Sequence, residues 1–398
     1  MLSVVALLIG VGGVGTAQAQ LVGQITLTKE TYLAGEPIYV LFEFTNTGKD
    51  AVQYSSGDPY REGCGGYSVE VSTGPGIAHP SCGKGSAGEC FGGTQILAGG
   101  ATQYQTILVN YAHDVSKVGN YEIHAVQTLK YGPATGEITS PAENKEFKVE
   151  ARFQIRVTPG DRETLQAIYR PFVSNLASND AEVQRDAERA IVSGAPPWLE
   201  NTIVGMLRKY TSREFALLGL KNLNTEGSRE ELAKIVENTS EYTEESERAI
   251  GYLAQMGDKK YFPLLLGVAQ KDAPILARDH VLAAAELGGD DALPFLRELF
   301  SSADANSWAN GLMGLGQTGS RAAVPLLIEE LKDPHVDFER LASIALARLT
   351  HRTPFPDGRL YGEKPSEQYG RWTAWWTANG KGAAVYGPRQ CGEMEALP

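Results

Sequence analysis

Between residues 24 and 157 apolar and polar positions alternate in short runs, the pattern of strands that bury one face. The runs are Gln24-Ile25-Thr26-Leu27, Ile38-Tyr39-Val40-Leu41-Phe42-Glu43-Phe44, Tyr67-Ser68-Val69-Glu70-Val71, Thr106-Ile107-Leu108-Val109, Tyr121-Glu122-Ile123-His124-Ala125-Val126 and Phe153-Gln154-Ile155-Arg156-Val157. Turn residues separate them, as at Ala34-Gly35-Glu36-Pro37, Asn46-Thr47-Gly48 and Lys117-Val118-Gly119-Asn120. About seven such strands predict a β-sandwich over residues 20–158. Past Pro159-Gly160 the period changes to that of amphipathic helices and stays there to about residue 350.

The helical part repeats itself. Aligning helix ends at Asn224, Gly257, Gly288, Gly316 and Thr350 gives spacings of 33, 31, 28 and 34 residues, one helical hairpin per unit. The second helix of each unit opens alike: Tyr261-Phe262-Pro263-Leu264-Leu265-Leu266, Ala292-Leu293-Pro294-Phe295-Leu296 and Ala323-Val324-Pro325-Leu326-Leu327. Proline is tolerated in a first turn, where its missing N–H has no helical partner to lose, and a preceding glycine can end the earlier helix in a left-handed cap.

The recurring Leu-Gly-(Asp) followed by Pro-Leu-Leu resembles HEAT repeats of the phycobilin-lyase type, over about 190 residues. The end of the pattern matches too: Ala345-Leu346-Ala347-Arg348-Leu349-Thr350, a loop with Pro354-Phe355-Pro356, then Arg371-Trp372-Thr373-Ala374-Trp375-Trp376. In the first part, Gly35-Glu36-Pro37-Ile38-Tyr39-Val40 running into Phe44-Thr45-Asn46-Thr47-Gly48 resembles the B strand and turn of bacterial immunoglobulin-like domains. Gly119-Asn120-Tyr121-Glu122-Ile123 resembles their late strand, whose tyrosine often forms a corner bond. These resemblances imply an N-terminal immunoglobulin-like β-sandwich followed by an α-helical HEAT-repeat solenoid. The lyase relation implies, as an alternative, an enzyme that attaches a tetrapyrrole. The intracellular proteinase-inhibitor group shares a domain like the first, which implies a further alternative, protease inhibition through the sandwich; no inhibitory loop is identifiable.

Trp372, Trp375 and Trp376 fall at i, i+3 and i+4 and share one helical face. They could form an aromatic ligand platform; the preferred reading is a structural cap that closes the open end of the solenoid, within a C-terminal segment 353–398 that follows the repeats of residues 161–352.

Charge narrows the function classes. The chain carries 36 Lys and Arg against 48 Asp and Glu, a net charge of -12. Residues 20–158 hold 10 basic and 14 acidic side chains and residues 161–352 hold 21 and 29, so the two parts carry -4 and -8. A helical-repeat protein that grips nucleic acid needs a basic groove, so nucleic acid is not an expected partner.

Residues 3–14 form an apolar run ended by Thr16-Ala17-Gln18-Ala19, which reads as an export signal cleaved after Ala19. The run is too short for a membrane helix, its n-region lacks Lys and Arg, and the competing reading is a buried N-terminal strand. A periplasmic or secreted protein without stable membrane insertion is expected. Cys64, Cys82 and Cys90 lie in one Gly-rich stretch and Cys391 near the C-terminus. Their odd count in the first part points to disulfides, with Cys82–Cys90 and Cys64–Cys391 preferred among three pairings and reduced thiols left open.

None of the six histidines lies in a metal-ligand spacing; His280 reads as capped or solvated. No nucleophile elbow, phosphate loop or dinucleotide fingerprint occurs. The acidic run Glu241–Glu247 reads as a helix start with Thr243 as N-cap. The expectation is therefore a non-enzymatic protein–protein interaction scaffold with no catalytic, cofactor or metal site, whose partner is a protein of the cell envelope.

Overall fold

A computed structural model of the chain describes residues 4–6, 21–56, 66–75, 93–134, 145–238, 243–271, 278–302, 304–332, 336–355, 358–359, 365–387 and 395–396. Strands come first and helices follow, as the change of period near residue 160 requires. Two compact units divide the chain, Met1–Leu199 and Glu200–Pro398.

The first unit holds strands β1 (Val4–Ala6), β2 (Leu21–Leu27), β3 (Thr31–Leu33), β4 (Tyr39–Asn46), β5 (Val52–Ser56), β6 (Tyr67–Thr73), β7 (Gly93–Leu97) and β8 (Thr102–Leu108). A single-turn helix α1 (Val109–Ala112) precedes the long β9 (Gly119–Pro133) and β10 (Lys145–Thr158). One sheet runs β1-β2-β4-β8; the other runs β3-β10-β9-β5-β7, with β6 also paired to β9. Every strand expected from the alternation is present, and β9 and β10 extend well beyond their runs, pairing antiparallel from Tyr131–Lys145 to Gly119–Val157.

One core draws on both sheets. Ile25, Phe42 and Phe44 from one and Ile123, Leu129 and Phe153 from the other are all buried. Phe44 meets Tyr54 edge-on at 5.1 Å and Phe147 at 6.3 Å, the offset geometries that aromatic quadrupoles prefer. Tyr121, fully buried, donates its hydroxyl to the carbonyl of Lys117 at 2.7 Å, the corner bond expected of this residue. Val4–Ala6, inside the stretch read as an export signal, pairs antiparallel with β2; the rest of that stretch lies outside the described residues.

Helices α2 (Arg162–Asn175) and α3 (Ala181–Gly194) complete this unit. Asp161 caps α2, accepting from the Thr164 amide at 2.8 Å, a bond that holds its carboxyl below the usual range. The hairpin lies on the turn before β4. Tyr169 donates to the Gly35 carbonyl at 2.7 Å, Tyr39 stacks on Phe172, and the Tyr39 hydroxyl reaches the Asp186 carboxylate at 3.3 Å. Burial pushes the Tyr169 hydroxyl and the Asp186 carboxyl up from their ordinary values.

The second unit contains α4 (Glu200–Met206), α5 (Arg213–Leu223), α6 (Glu226–Asn238), α7 (Glu244–Met256), α8 (Phe262–Lys271), α9 (Arg278–Gly288), α10 (Leu293–Phe300), α11 (Ala305–Leu315), α12 (Ala323–Glu330) and α13 (Val336–Thr350). Two-residue strands β11 (Arg352–Thr353) and β12 (Glu395–Ala396) pair in parallel, and α14 (Pro365–Asn379) lies between them in sequence. Thr243 caps α7 in a capping box with Ser246, and Glu244, Glu245 and Glu247 occupy the first turn, as the acidic run predicted.

Left-handed residues mark the repeat. Asn224, Gly257, Gly289, Gly319 and His351 have φ of 48, 74, 58, 62 and 50°, and lie 33, 32, 30 and 32 residues apart. The period is thus more regular than the sequence marks suggested. Gly288 and Gly316, expected as caps, are right-handed and serve close packing instead. A Cβ on Gly288 would lie 2.4 Å from the Phe262 ring, and one on Gly316 would lie 2.9 Å from Ala345.

Candidate functional site

Helices α5, α7, α9, α11 and α13 pack one on the next in a continuous row, and α6, α8, α10 and α12 each pack on helices of that row. Small residues allow the close approach: Ala283, Ala284 and Ala285 on α9 and Gly311 and Gly314 on α11 are buried, and a Cβ on Gly314 would lie 2.5 Å from Leu296. The proline-led helices start as predicted, with Pro263, Pro294 and Pro325 exposed in their first turns.

Polar contacts lash successive turns together along one edge of the stack. Arg229 pairs with Asp258 at 3.4 Å and Lys259 with Asp291 at 3.7 Å; Lys260 meets Glu226, and Ser320 donates to Asp290. Asp258, Asp290 and Asp291 lie in the turns between helices and Glu226 and Arg229 in the first turn of α6, and their partners account for them.

The outer face of the row is different. Each helix of the row leaves an i, i+4 pair open, Leu218 and Asn222 on α5, Arg248 and Tyr252 on α7, Leu282 and Glu286 on α9, Ala309 and Met313 on α11, Ile344 and Arg348 on α13; on α9 and α11 nothing else is open past the first two residues, while α5 and α7 also open Glu214, Lys221, Glu245 and Gln255 among others. Asn222 and Arg348 are exposed and the others half-buried. On α5 and α7 the charges satisfy each other. Arg248 bridges Glu214 at 2.8 Å and Glu244 at 2.7 Å, and Lys221 lies over the Tyr252 ring at 5.8 Å. Burial raises the Tyr252 hydroxyl above its usual value. The mixed apolar and charged surface can hold a polypeptide by side-chain contact. It offers no nucleophile with an adjacent base, and among the described residues no group of three or more His, Cys, Asp or Glu could hold a metal.

At the end of the stack α14 packs on α12. Trp372 is 0% and Trp375 6% exposed, with Trp376 half-buried; their rings lie 5.6 and 5.8 Å apart in sequence order. Arg321, from the turn before α12, donates to the carbonyls of Gly380, Lys381 and Ala383 and lies over the Trp376 ring at 5.6 Å. Arg352 lies over Trp375 at 5.6 Å, and Arg359 and Arg371 each lie 5.1 Å from the Phe355 ring centre. Gln368 donates to Glu339, and burial raises that carboxyl above its usual range.

Cys64, Cys82, Cys90 and Cys391 all lie outside the described residues, as does His335. His280 is 3% exposed, which removes the solvated half of the reading as a capped or solvated histidine; it sits among the tightly packed positions of α9. No helix among the described residues is long and apolar enough to cross a membrane. The sequence reading missed the row's outer face, because Leu282, Ala309, Met313 and Ile344 are as small or apolar as their buried neighbours.

The fold is thus a β-sheet unit followed by a stack of repeated helical hairpins. No protein-family model matches the chain, and no curated protein is similar to it. A similar solved chain is in the complex of CpcE and CpcF of phycocyanin lyase from Nostoc sp. PCC7120, at 15% identity and a TM-score of 0.29, covering 52% of this chain and 82% of that one. Another is the ASH/PapD-like domain 7 of human CEP192, at 11% identity and a TM-score of 0.19, covering 40% of this chain and 99% of that one. The expectation of a protein that is not an enzyme is corrected by the first of these. It rested on helical repeats of this kind being scaffolds, and that chain belongs to a lyase complex.

Proposed function

We propose that the protein binds an extended polypeptide across the outer face of the α5-α7-α9-α11-α13 row. One observation carries this reading: the five alternate helices that pack one on the next each leave an i, i+4 pair open, and on α9 and α11 the rest of the helix past its first two residues is buried. Stacked repeats build long surfaces of this sort because each unit contacts only its neighbours. The finer fold reading is an immunoglobulin-like β-sandwich followed by a HEAT-type solenoid, supported by the shared core of the two sheets, the Tyr121 corner bond and the left-handed marks recurring every 30 to 33 residues. The tryptophan cluster closes the last repeat, supported by the burial of Trp372 and Trp375 and by Arg321 binding the end of α14. The chain is exported, with its signal removed after Ala19, and its partner is a protein of the cell envelope.

The test is a pulldown from envelope extract with the wild-type chain, with Leu282→Glu/Met313→Glu, and with Lys234→Glu/Lys271→Glu on α6 and α8. The reading expects a protein retained by the first and third and lost by the second. Equal retention by all three would place binding elsewhere, and a bilin absorbance band in the purified protein would point to tetrapyrrole chemistry instead.

A further inference from the structure

We infer that removal of the leader opens the outer edge of β2, and that the mature chain takes there an extended, uncharged strand from another polypeptide. This rests on the reading of residues 1–19 as a signal cleaved on export, and is independent of the helical row.

In the full chain the edge is already taken. β1 pairs antiparallel with β2, setting Val4 against Leu27, Val5 against Thr26 and Ala6 against Ile25. The sheet runs β1-β2-β4-β8, so β2 has β4 on one side and only β1 on the other. β1 belongs to the leader and β2 begins at Leu21, so cleavage after Ala19 cuts the chain between them. The covalent link makes their pairing intramolecular, at an effective concentration that a free peptide does not reach. Once it is cut, a strand of three residues has few ladder bonds to keep it in place.

What remains is an unguarded edge. Exposed edges are normally blunted by charge, proline, a bulge or shortness, because their row of unpaired N–H and C=O groups templates another strand. β2, Leu-Val-Gly-Gln-Ile-Thr-Leu, is seven residues long and holds no charge and no proline. Its register with β4 runs from Leu21–Asn46 to Leu27–Val40 without a shift. The other end strands differ. β3 and β7 are shorter, at three and five residues, and on β8 Gln103 and Gln105 donate to the carbonyls of Tyr104 and Thr106 in their own strand.

The occupant's chemistry follows from its neighbours. Ile25 and Leu27 are buried in the core that both sheets share, so residues set against them adjoin that core. A charge at those positions would be desolvated without a partner, a cost that excludes it. They call for small or β-branched apolar residues, as in β1, alternating with a residue set against Thr26 on the opposite face. β1 lies against only Ile25, Thr26 and Leu27, so a partner strand of about seven residues adds the ladder along Leu21–Gln24 as well. Main-chain bonds then supply the affinity and the alternate side chains the specificity.

The experiment uses the folded full chain carrying a specific protease site after Ala19, before and after cutting, with a fluorescent peptide of residues 3–9 ended by lysines for solubility. The cut chain, dialysed free of its leader, is expected to bind the peptide at least about tenfold more tightly than the uncut chain. Hydrogen exchange is expected to slow along Leu21–Leu27 and not in β8. The Val4→Asp/Ala6→Asp peptide is expected to bind at least about tenfold more weakly. Equal binding by the two chains or of the two peptides, a cut leader that survives dialysis, or protection confined to other strands overturns the inference. A cut chain that refuses the peptide and dimerises closes its edge on a second copy, which also overturns it. The N-terminus of the chain recovered from the envelope separates the two readings. Gln20 there, without peptide binding by the cut chain, removes this inference alone; an intact leader removes the export reading and the opening of the edge with it.

Discussion

At Asn224 the backbone turns left-handed, with φ of 48°, and ends α5 by returning its amide to the Leu220 carbonyl. Asparagine is among the few residues besides glycine that visit this region routinely. Asn224→Ala is expected to cost about 1–2 kcal/mol and Asn224→Gly only a few tenths, measured by denaturant midpoints. Equal losses would mean that the side chain and not the backbone matters there. Asp186 makes a pH-dependent case. Burial raises its carboxyl above the ordinary value despite the hydrogen bond from Tyr39. The protonated form is thus favoured in the fold, and ionised Asp186 costs stability as pH rises from the unfolded value of about 3.9 through the raised folded value. Asp186→Asn is expected to raise the melting temperature at pH 7 and to leave it unchanged near pH 3, whereas a loss at pH 7 would show that the carboxylate is needed ionised.

Among elements, the strands with clean alternation were legible: β2, β6, β9 and β10 cover their expected runs, and β4 and β8 cover theirs but for Ile38 and Val109 at the ends. The short β3, β5 and β7 were not, because runs of three to five residues give too few alternations to separate from loop, and their place depends on partners distant in sequence. The helix ends at Asn224 and Gly257 were read correctly, while Gly288 and Gly316 looked like caps because sequence cannot distinguish a glycine that turns from one that admits a neighbour. The open face of the row was illegible for a related reason: which arc of α9 or α11 stays open depends on which helices flank it. The end of the stack yields two predictions. Trp372→Ala is expected to cost about 3–5 kcal/mol, the usual loss for a buried large aromatic, and to fray the terminal repeat first by hydrogen exchange. Arg321→Ala is expected to cost only about 1 kcal/mol, since the guanidinium is solvent-accessible, although it binds three carbonyls. An unchanged melting temperature in Trp372→Ala would remove the capping role.

For the whole molecule, the helical period begins at Arg162, yet α2 and α3 form one compact unit with the sheets. Residues 20–199 are therefore expected to unfold more cooperatively, and at a higher temperature, than residues 20–158, which lack the partners of Tyr39 and Gly35. The central claim concerns the second unit, and hydrogen exchange of the full chain with and without its captured partner tests it most directly. Binding is predicted to slow exchange in α5, α7, α9, α11 and α13 and to leave α6, α8 and α10 unchanged. Protection confined to the proline-led helices or to the sheet strands, with the row unaffected, would contradict it.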